Sequence, residues 1–338
     1  MDAIELPIAE YRFYMRAVTD IQLPAYSGSA WRGLFGRALK RTVCVTRQAE
    51  CKQCLLWRNC VYSYIFETPP PLDSQVMRKY TAAPHPFMIT PNPQQARQLS
   101  AGDELWFDFT LIAKANQHLP YIIHAMQAAG KQGIAKQRGK FELLRLEQRI
   151  ENGWQSIYQP EQDIQAQAAM SSPVSALPDG LVTVTFDTPF RSVHRGKLLQ
   201  KEDFQFAHFL SPLMRRVSML SNFHHETPLN CDFKALTEQA QCTPLHDKQL
   251  HWHDWQRFSS RQDKRVSMGG LKGSFQVHSQ HLEPFWAFME LGQKLHVGKG
   301  TVMGLGKYRL SIESALDSEL SPKQKQVKIG NTERQSKK

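Results

Sequence analysis

The sequence predicts an α+β fold of two tandem β-α-β-β-α-β units, the ferredoxin-like or RRM-like arrangement, with a small cysteine-rich metal-binding insertion. Three observations predict it. Segments in which apolar and polar residues alternate strictly, the period of a half-buried strand, take turns with segments of helical period. Their order recurs: each half has a strand, a long arginine-bearing helix, a less regular middle, an alternating strand, a short helix, a glycine-rich basic loop and a closing strand. Between the copies, residues 159–180 are rich in Gln, Ala, Ser and Pro and hold little that could form a core, so they read as a linker. Two β-α-β-β-α-β units satisfy that order with short connections, and 338 residues leave room for both. The N-terminal domain is placed at 1–158 and the C-terminal domain at 181–314. Residues 315–338, polar and basic without pattern, read as a disordered tail.

Tyr11 to Val18 forms the first strand, and Pro24 and Gly28 interrupt the chain after it. Ser29 then caps a helix to about Arg41, whose Trp31, Leu34, Phe35, Ala38 and Leu39 recur at helical spacing and face a core. Arg32, Arg37, Lys40 and Arg41 cover the rest of its surface, either as a solvated face or as a face for phosphate. Cys44, Cys51, Cys54 and Cys60 follow as C-x6-C-x2-C-x5-C within seventeen residues. The central C-x-x-C is a knuckle for one tetrahedral ion, and the flanking pair completes four ligands. A structural zinc, an iron–sulfur cluster and unligated thiols remain open; four thiolates leave no position for water, so the site is not catalytic. Seven prolines between Thr68 and Pro93 keep that stretch extended or looping. Glu104 to Ile112 alternates as a strand, Pro120 to Ala129 fits a short helix, and Asn152-Gly153 joins Phe141–Ile150 to Trp154–Tyr158 as a hairpin.

In the second half, Leu181 to Asp187 reads as a strand and is followed by a loop with Arg191, His194, Arg195 and Lys197. A long helix fits Asp203 to about Phe223, with Arg215 and Arg216 adjacent on it and His224 and His225 at its end. Leu271 to Val277 alternates, and Pro284 opens a short helix to Leu291. Four glycines and two lysines then crowd into Leu295-His-Val-Gly298-Lys-Gly300-Thr-Val-Met-Gly304-Leu-Gly306-Lys307 before the last strand. Such a loop lets a polyanion approach the main chain, or makes a tight turn in a β-rich fold. Its spacing fits neither G-x-G-x-x-G opening a helix nor a Walker-type loop.

Composition narrows the function classes. A formal charge of +11, from 42 Lys and Arg against 31 Asp and Glu, favours an anionic partner, nucleic acid ahead of a membrane surface. No apolar run approaches a bilayer span and Met-Asp-Ala-Ile-Glu is no signal peptide, so a cytoplasmic protein with reduced thiols is expected. No paired Asp/Glu motif suggests a Mg²⁺-dependent nuclease. Arg257, Arg261 and Lys272 lie among Trp252, Trp255 and Phe258, a mixture suited to stacking on unpaired bases and holding phosphate, or simply a strand edge with charged neighbours.

The glycine loop from Leu295 to Tyr308 resembles the C-terminal glycine-rich loop of the CRISPR-associated RAMP superfamily. Trp31-Arg-Gly-Leu-Phe-Gly with the cysteines behind it, Thr188-Pro-Phe-Arg, and Trp255-Gln-Arg-Phe-Ser-Ser-Arg-Gln262 leading to Gly269-Gly-Leu-Lys-Gly273 are similar to its repeat-RNA-processing endoribonuclease branch. That resemblance covers Tyr11 to Leu310. It implies tandem ferredoxin-like domains and cleavage of long CRISPR transcripts within each repeat, without a catalytic metal, leaving a 2′,3′-cyclic phosphate or 3′-phosphate end. Implied partners are CRISPR repeat RNA and CRISPR effector subunits. Such cleavage needs a base for the 2′-OH, an acid for the leaving 5′-oxygen and cations for the phosphorane, and histidine suits the first two roles. His224 ranks first, then His194, then His296 at the mouth of the glycine loop; Gly298, Lys299, Gly300, Gly304 and Gly306 are assigned to the RNA backbone, with Arg32 and Arg37 gripping a stem. A subunit that binds guide RNA in an effector complex without cutting it is the alternative.

Overall fold

The computed structural model describes residues 4–70, 83–171, 173–259 and 264–312, with 257–259 and 264–265 described by their backbone alone. The predicted tail at 315–338 and Arg261 lie outside the described residues. Strand β1 (Ile8–Ala17) turns Ala9, Tyr11, Phe13 and Met15 inward. Helix α1 (Gly28–Val43) lays Trp31, Leu34, Phe35, Ala38 and Leu39 on that face. After the cysteine segment come β2 (Phe87–Pro91), β3 (Glu104–Ile112), α2 (Leu119–Gln132), β4 (Phe141–Ile150) and β5 (Gly153–Tyr158). The sheet runs β2-β3-β1-β4-β5 with every neighbour antiparallel. Phe13 stands opposite Phe107 in this register, and their rings stack at 5.3 Å.

The second unit repeats the topology. It comprises β6 (Leu181–Phe190), α3 (Phe206–Leu220), α4 (Phe233–Cys242), β7 (His246–His253), β8 (Gly270–His278), α5 (Trp286–Leu295) and β9 (Tyr308–Ile312). Its sheet is β7-β8-β6-β9, again antiparallel throughout. In both halves the first strand lies between the third and fourth, the order a β-α-β-β-α-β chain must take.

Three elements depart from the sequence reading. Strand β2 lies in the proline-rich stretch, where an edge position tolerates Pro91 because one side of the strand has no ladder to feed. Helix α4 has one fully buried residue, Ala240, so its apolar period is faint; Asp232 starts it, accepting hydrogen bonds from the Lys234 and Ala235 amides at 3.0 Å. Strand β7 is mostly exposed, so alternation does not mark it. A ribbon of Gln256–Ser259 with Lys264–Ser267 stands beside it.

Each sheet and its helices enclose a core, but the halves are not independent. The core of the second takes in Ile4, Leu6 and Ile8 from the first. The described residues of 159–180 form no helix and no multi-residue strand and are tied to both halves. Gln148 clasps the Gln167 backbone through both amide atoms at 3.0 and 2.8 Å, Met170 accepts from the Ile8 amide at 3.1 Å, and Trp286 Nε1 donates to the Ser175 carbonyl at 2.9 Å. The glycine loop docks on the first half, where the Tyr26 hydroxyl donates to the Met303 carbonyl at 2.7 Å.

Candidate nucleic-acid interface

Where the halves meet, a cleft of about 360 Å³ is lined by Arg191, Arg215, Arg216, Lys299 and Gly298 of the second half and Pro84 of the first. Three separate elements supply its cations. Arg191 leaves the sheet just past the end of β6, α3 carries Arg215 and Arg216 on its last turns, and the glycine loop brings Lys299. The Lys299 amide donates to the Arg191 carbonyl at 2.7 Å, so the two loops are stitched together. Positive φ at Gly298, +88°, and the crowding of a Cβ there by the Arg191 carbonyl oxygen at 2.5 Å explain why only glycine fits this crossing.

Arg216 is the informative side chain. It is 9% exposed; Nε donates to the Leu295 carbonyl at 2.8 Å, and Nη2 is buried without a partner. Burial pulls its pKa down to about 10, which still leaves it charged at neutral pH. A buried guanidinium with an unmet donor is costly unless an anion completes it. Among the described residues lining this cleft there is no carboxylate.

The predicted histidines separate sharply. His224 is 1% exposed, with Nε2 donating to the Pro84 carbonyl at 2.7 Å and Nδ1 accepting from the Tyr64 hydroxyl at 3.2 Å. Burial, with Arg216 and Lys114 nearby, pushes its pKa down to about 4. Both nitrogens are engaged, so the ring joins the halves and has no free face for a ribose. His296, 3% exposed and at φ +57°, follows α5; burial first, then Lys307 and Arg216, pushes its pKa down to about 3. Its Nδ1 has no partner. His194 is exposed, one residue beyond the cleft-lining Val193, on a short turn where it pairs with Lys197.

Sequence reasoning passed over His208. Its ring stands edge-on to that of His194 at 4.5 Å between centroids. Nδ1 accepts from the Gln205 amide at 3.1 Å, which leaves the proton of the neutral ring on Nε2. Burial and then His194 lower its pKa, while the Asp203 carbonyl and carboxylate work against them. Gln205-x-x-His208, a capping box at the start of α3, was the available signal.

The remaining predicted contacts are spread out. Arg32 lies over the Phe66 ring at 4.5 Å, and Arg37, largely exposed, has its pKa lowered by partial desolvation and then by the charges of Arg41 and Arg138. Lys272 is half-buried on β8 opposite His251, and Arg257 is on the ribbon opposite Val266. Of the loop glycines, Gly304 sits against the Ile89 carbonyl and Tyr26 hydroxyl, and a Cβ on Gly306 would overlap the Val297 carbonyl oxygen. Gly300, Gly304 and Gly306 thus make the turn and the docking surface, while Gly298 and Lys299 face the cleft. The four cysteines of the insertion carry free thiols around one small cavity, and among the described residues no group of three His, Cys, Asp or Glu is already drawn to metal-binding distance. No helix among these residues is long and apolar enough to cross a membrane.

Residues 6–170 match a family model described as an N-terminal domain, and residues 184–308 match that of the CRISPR-associated endoribonuclease Cas6. An uncharacterized protein of Archaeoglobus fulgidus is 27% identical over 128 residues, 38% of this chain, and the match covers 42% of that relative's length. Among solved structures, a Cas6 product complex from Thermus thermophilus is similar with a TM-score of 0.53 at 15% identity, over 90% of this chain and 100% of that one. A partial Cas6-RT-Cas1–Cas2 complex gives 0.53 at 12% identity, over 93% of this chain and 47% of that one. These likenesses carry the tandem ferredoxin-like fold, and the second half is similar in sequence to the Cas6 endoribonuclease family.

Proposed function

We propose that the protein is an endoribonuclease that cuts CRISPR precursor transcripts within their repeats to release guide RNAs. A ribose 2′-OH loses its proton to a base and attacks the adjacent phosphate; the 5′-oxygen leaves with a proton from an acid, and a 2′,3′-cyclic phosphate remains. This route needs no metal ion. The observation that supports the reading best is the unmet Nη2 of Arg216 in a cationic cleft built by Arg191, Arg215 and Lys299. Four cations at that point stabilise the extra negative charge of a phosphorane, which is greater than that of the ground-state diester. His194, one residue beyond the cleft-lining Val193, and His208, whose ring pairs with it, are assigned the proton transfers in place of His224. Assembly with CRISPR effector subunits in the cytoplasm belongs to the same proposal.

The test is incubation of the purified protein with labelled repeat RNA in excess EDTA. One discrete cut, blocked by a 2′-deoxy nucleotide at the scissile position, is the expected result. The burial of His224 and His296 favours a second reading, a subunit that holds guide RNA without cutting it. Tight binding with no cut on repeats of several sequences would establish that reading instead.

A further inference from the structure

Residues 44–60 leave α1 and return to the first half without building a core. None of the seventeen is fully buried; every residue in the segment is exposed except Cys44, Cys51, Cys54, Cys60 and Trp57. Val45, Leu55 and Leu56 are among the largest exposed apolar side chains of the protein, Leu55 at 93%. Regular structure is limited to a 3₁₀ turn at Cys51–Gln53, closed by the Cys54 amide donating to the Cys51 carbonyl at 3.0 Å. Ordering a segment of this length costs on the order of 1–2 kcal/mol per residue in backbone entropy, with little apolar burial beyond Cys51 and Cys60, which pack against the first core, to offset it. What the segment turns inward is sulfur.

All four thiols line one cavity of about 20 Å³, space for a single small ion rather than a molecule. The Thr46 hydroxyl lies 3.3 Å from Cys54 Sγ and 4.0 Å from Cys44 Sγ. It stands between the knuckle sulfur of Cys54 and the flanking sulfur of Cys44. Lys40 of α1 donates to the Ala49 carbonyl at 2.9 Å and lies beside the Cys51 thiol, placing a cation next to any thiolate cluster. We propose that Cys44, Cys51, Cys54 and Cys60 close on one zinc ion as four thiolates, and that this ion is the missing core of the excursion. The sulfurs would sit about 2.3 Å from the metal, and the residues between them are exposed apart from Trp57. The bound ion fixes Arg47, Lys52 and Arg58 on the basic side of α1 while leaving the interdomain cleft unchanged.

The test uses the intact protein purified under reducing conditions without chelator. Elemental analysis is expected to give about one zinc per chain. Titration with a mercurial should release that zinc as four thiols react, leaving Cys231 and Cys242 as the balance of the six. A Cys51→Ser/Cys54→Ser double variant should lose the metal and become protease-sensitive within residues 44–60, with its far-ultraviolet dichroism preserved; Cys242→Ser should keep the metal. Should either double or control variant fail to fold, the mercurial titration of the native protein decides alone. Protein free of metal with all six thiols reacting at once overturns the proposal. So do disulfides among the four, iron with visible charge-transfer absorption, or zinc retained by the double variant.

Discussion

His224 and Arg216 show how differently two buried polar side chains on one helix end can be employed. His224 spends both ring nitrogens on Tyr64 and Pro84, so His224→Ala is expected to lower unfolding stability by about 1–3 kcal/mol, the cost of leaving those partners unmet. Urea unfolding checks this, and RNA cleavage by the folded fraction should persist. His194→Ala or His208→Ala should instead slow cleavage at least about 100-fold with little change in stability or RNA affinity, measured by single-turnover kinetics beside a binding titration. The sequence could list thirteen histidines but not their burial. Exposure, which depends on chain segments up to 160 positions away such as Tyr64, decides between a structural and a reactive ring. Lys299 and Arg191 were legible as cations in loops, and the structure brings both to the cleft.

At the scale of elements, the glycine loop docks on the first half and lines the cleft, two jobs that its sequence did not separate. Gly28 at the start of α1 lies so close to the Met303 carbonyl that any Cβ would overlap it, and Gly304 approaches Ile89 in the same way. Gly28→Ala should therefore push α1 from the loop and lower the melting temperature by several degrees, with a second transition as the halves uncouple; differential scanning calorimetry checks it. Lys299→Ala acts on the other job. It should weaken RNA binding and reduce the slope of log K against log salt by about one, read from titrations at several salt concentrations. Strands β1, β3, β4 and β8 and helices α1 and α3 were legible because one face is apolar and the other polar. Helix α4 and strand β7 escaped because their burial is slight, and β2 because proline at an edge looks like proline in a loop.

Taken as a whole, the molecule keeps His85 and His224 at the junction of its halves and His296 beside it, with pKa values pushed down to about 4, 4 and 3. The folded chain holds all three neutral at pH 7, whereas the unfolded chain takes up a proton at each near the ordinary value of 6.5. Stability is thus full above pH 6.5 and is lost as pH falls from there towards 4, at up to about 4 kcal/mol per pH unit. The urea midpoint should drop steadily between pH 6.5 and 4.5; a flat profile would mean that these rings are not buried as neutral groups. The tandem architecture was legible because both copies spell one order of elements. The way they lean on each other was not, since Ile4, Leu6 and Ile8 precede the strand read at Tyr11 to Val18 and nothing in their pattern says that they belong to the core of the second half. That placement has a consequence for synthesis. A ribosome adding about 5–20 residues per second makes this apolar strip on the order of 15–60 seconds before β9, the strand that completes the sheet behind which it is buried. During that interval the newborn chain carries this strip without the sheet that will cover it.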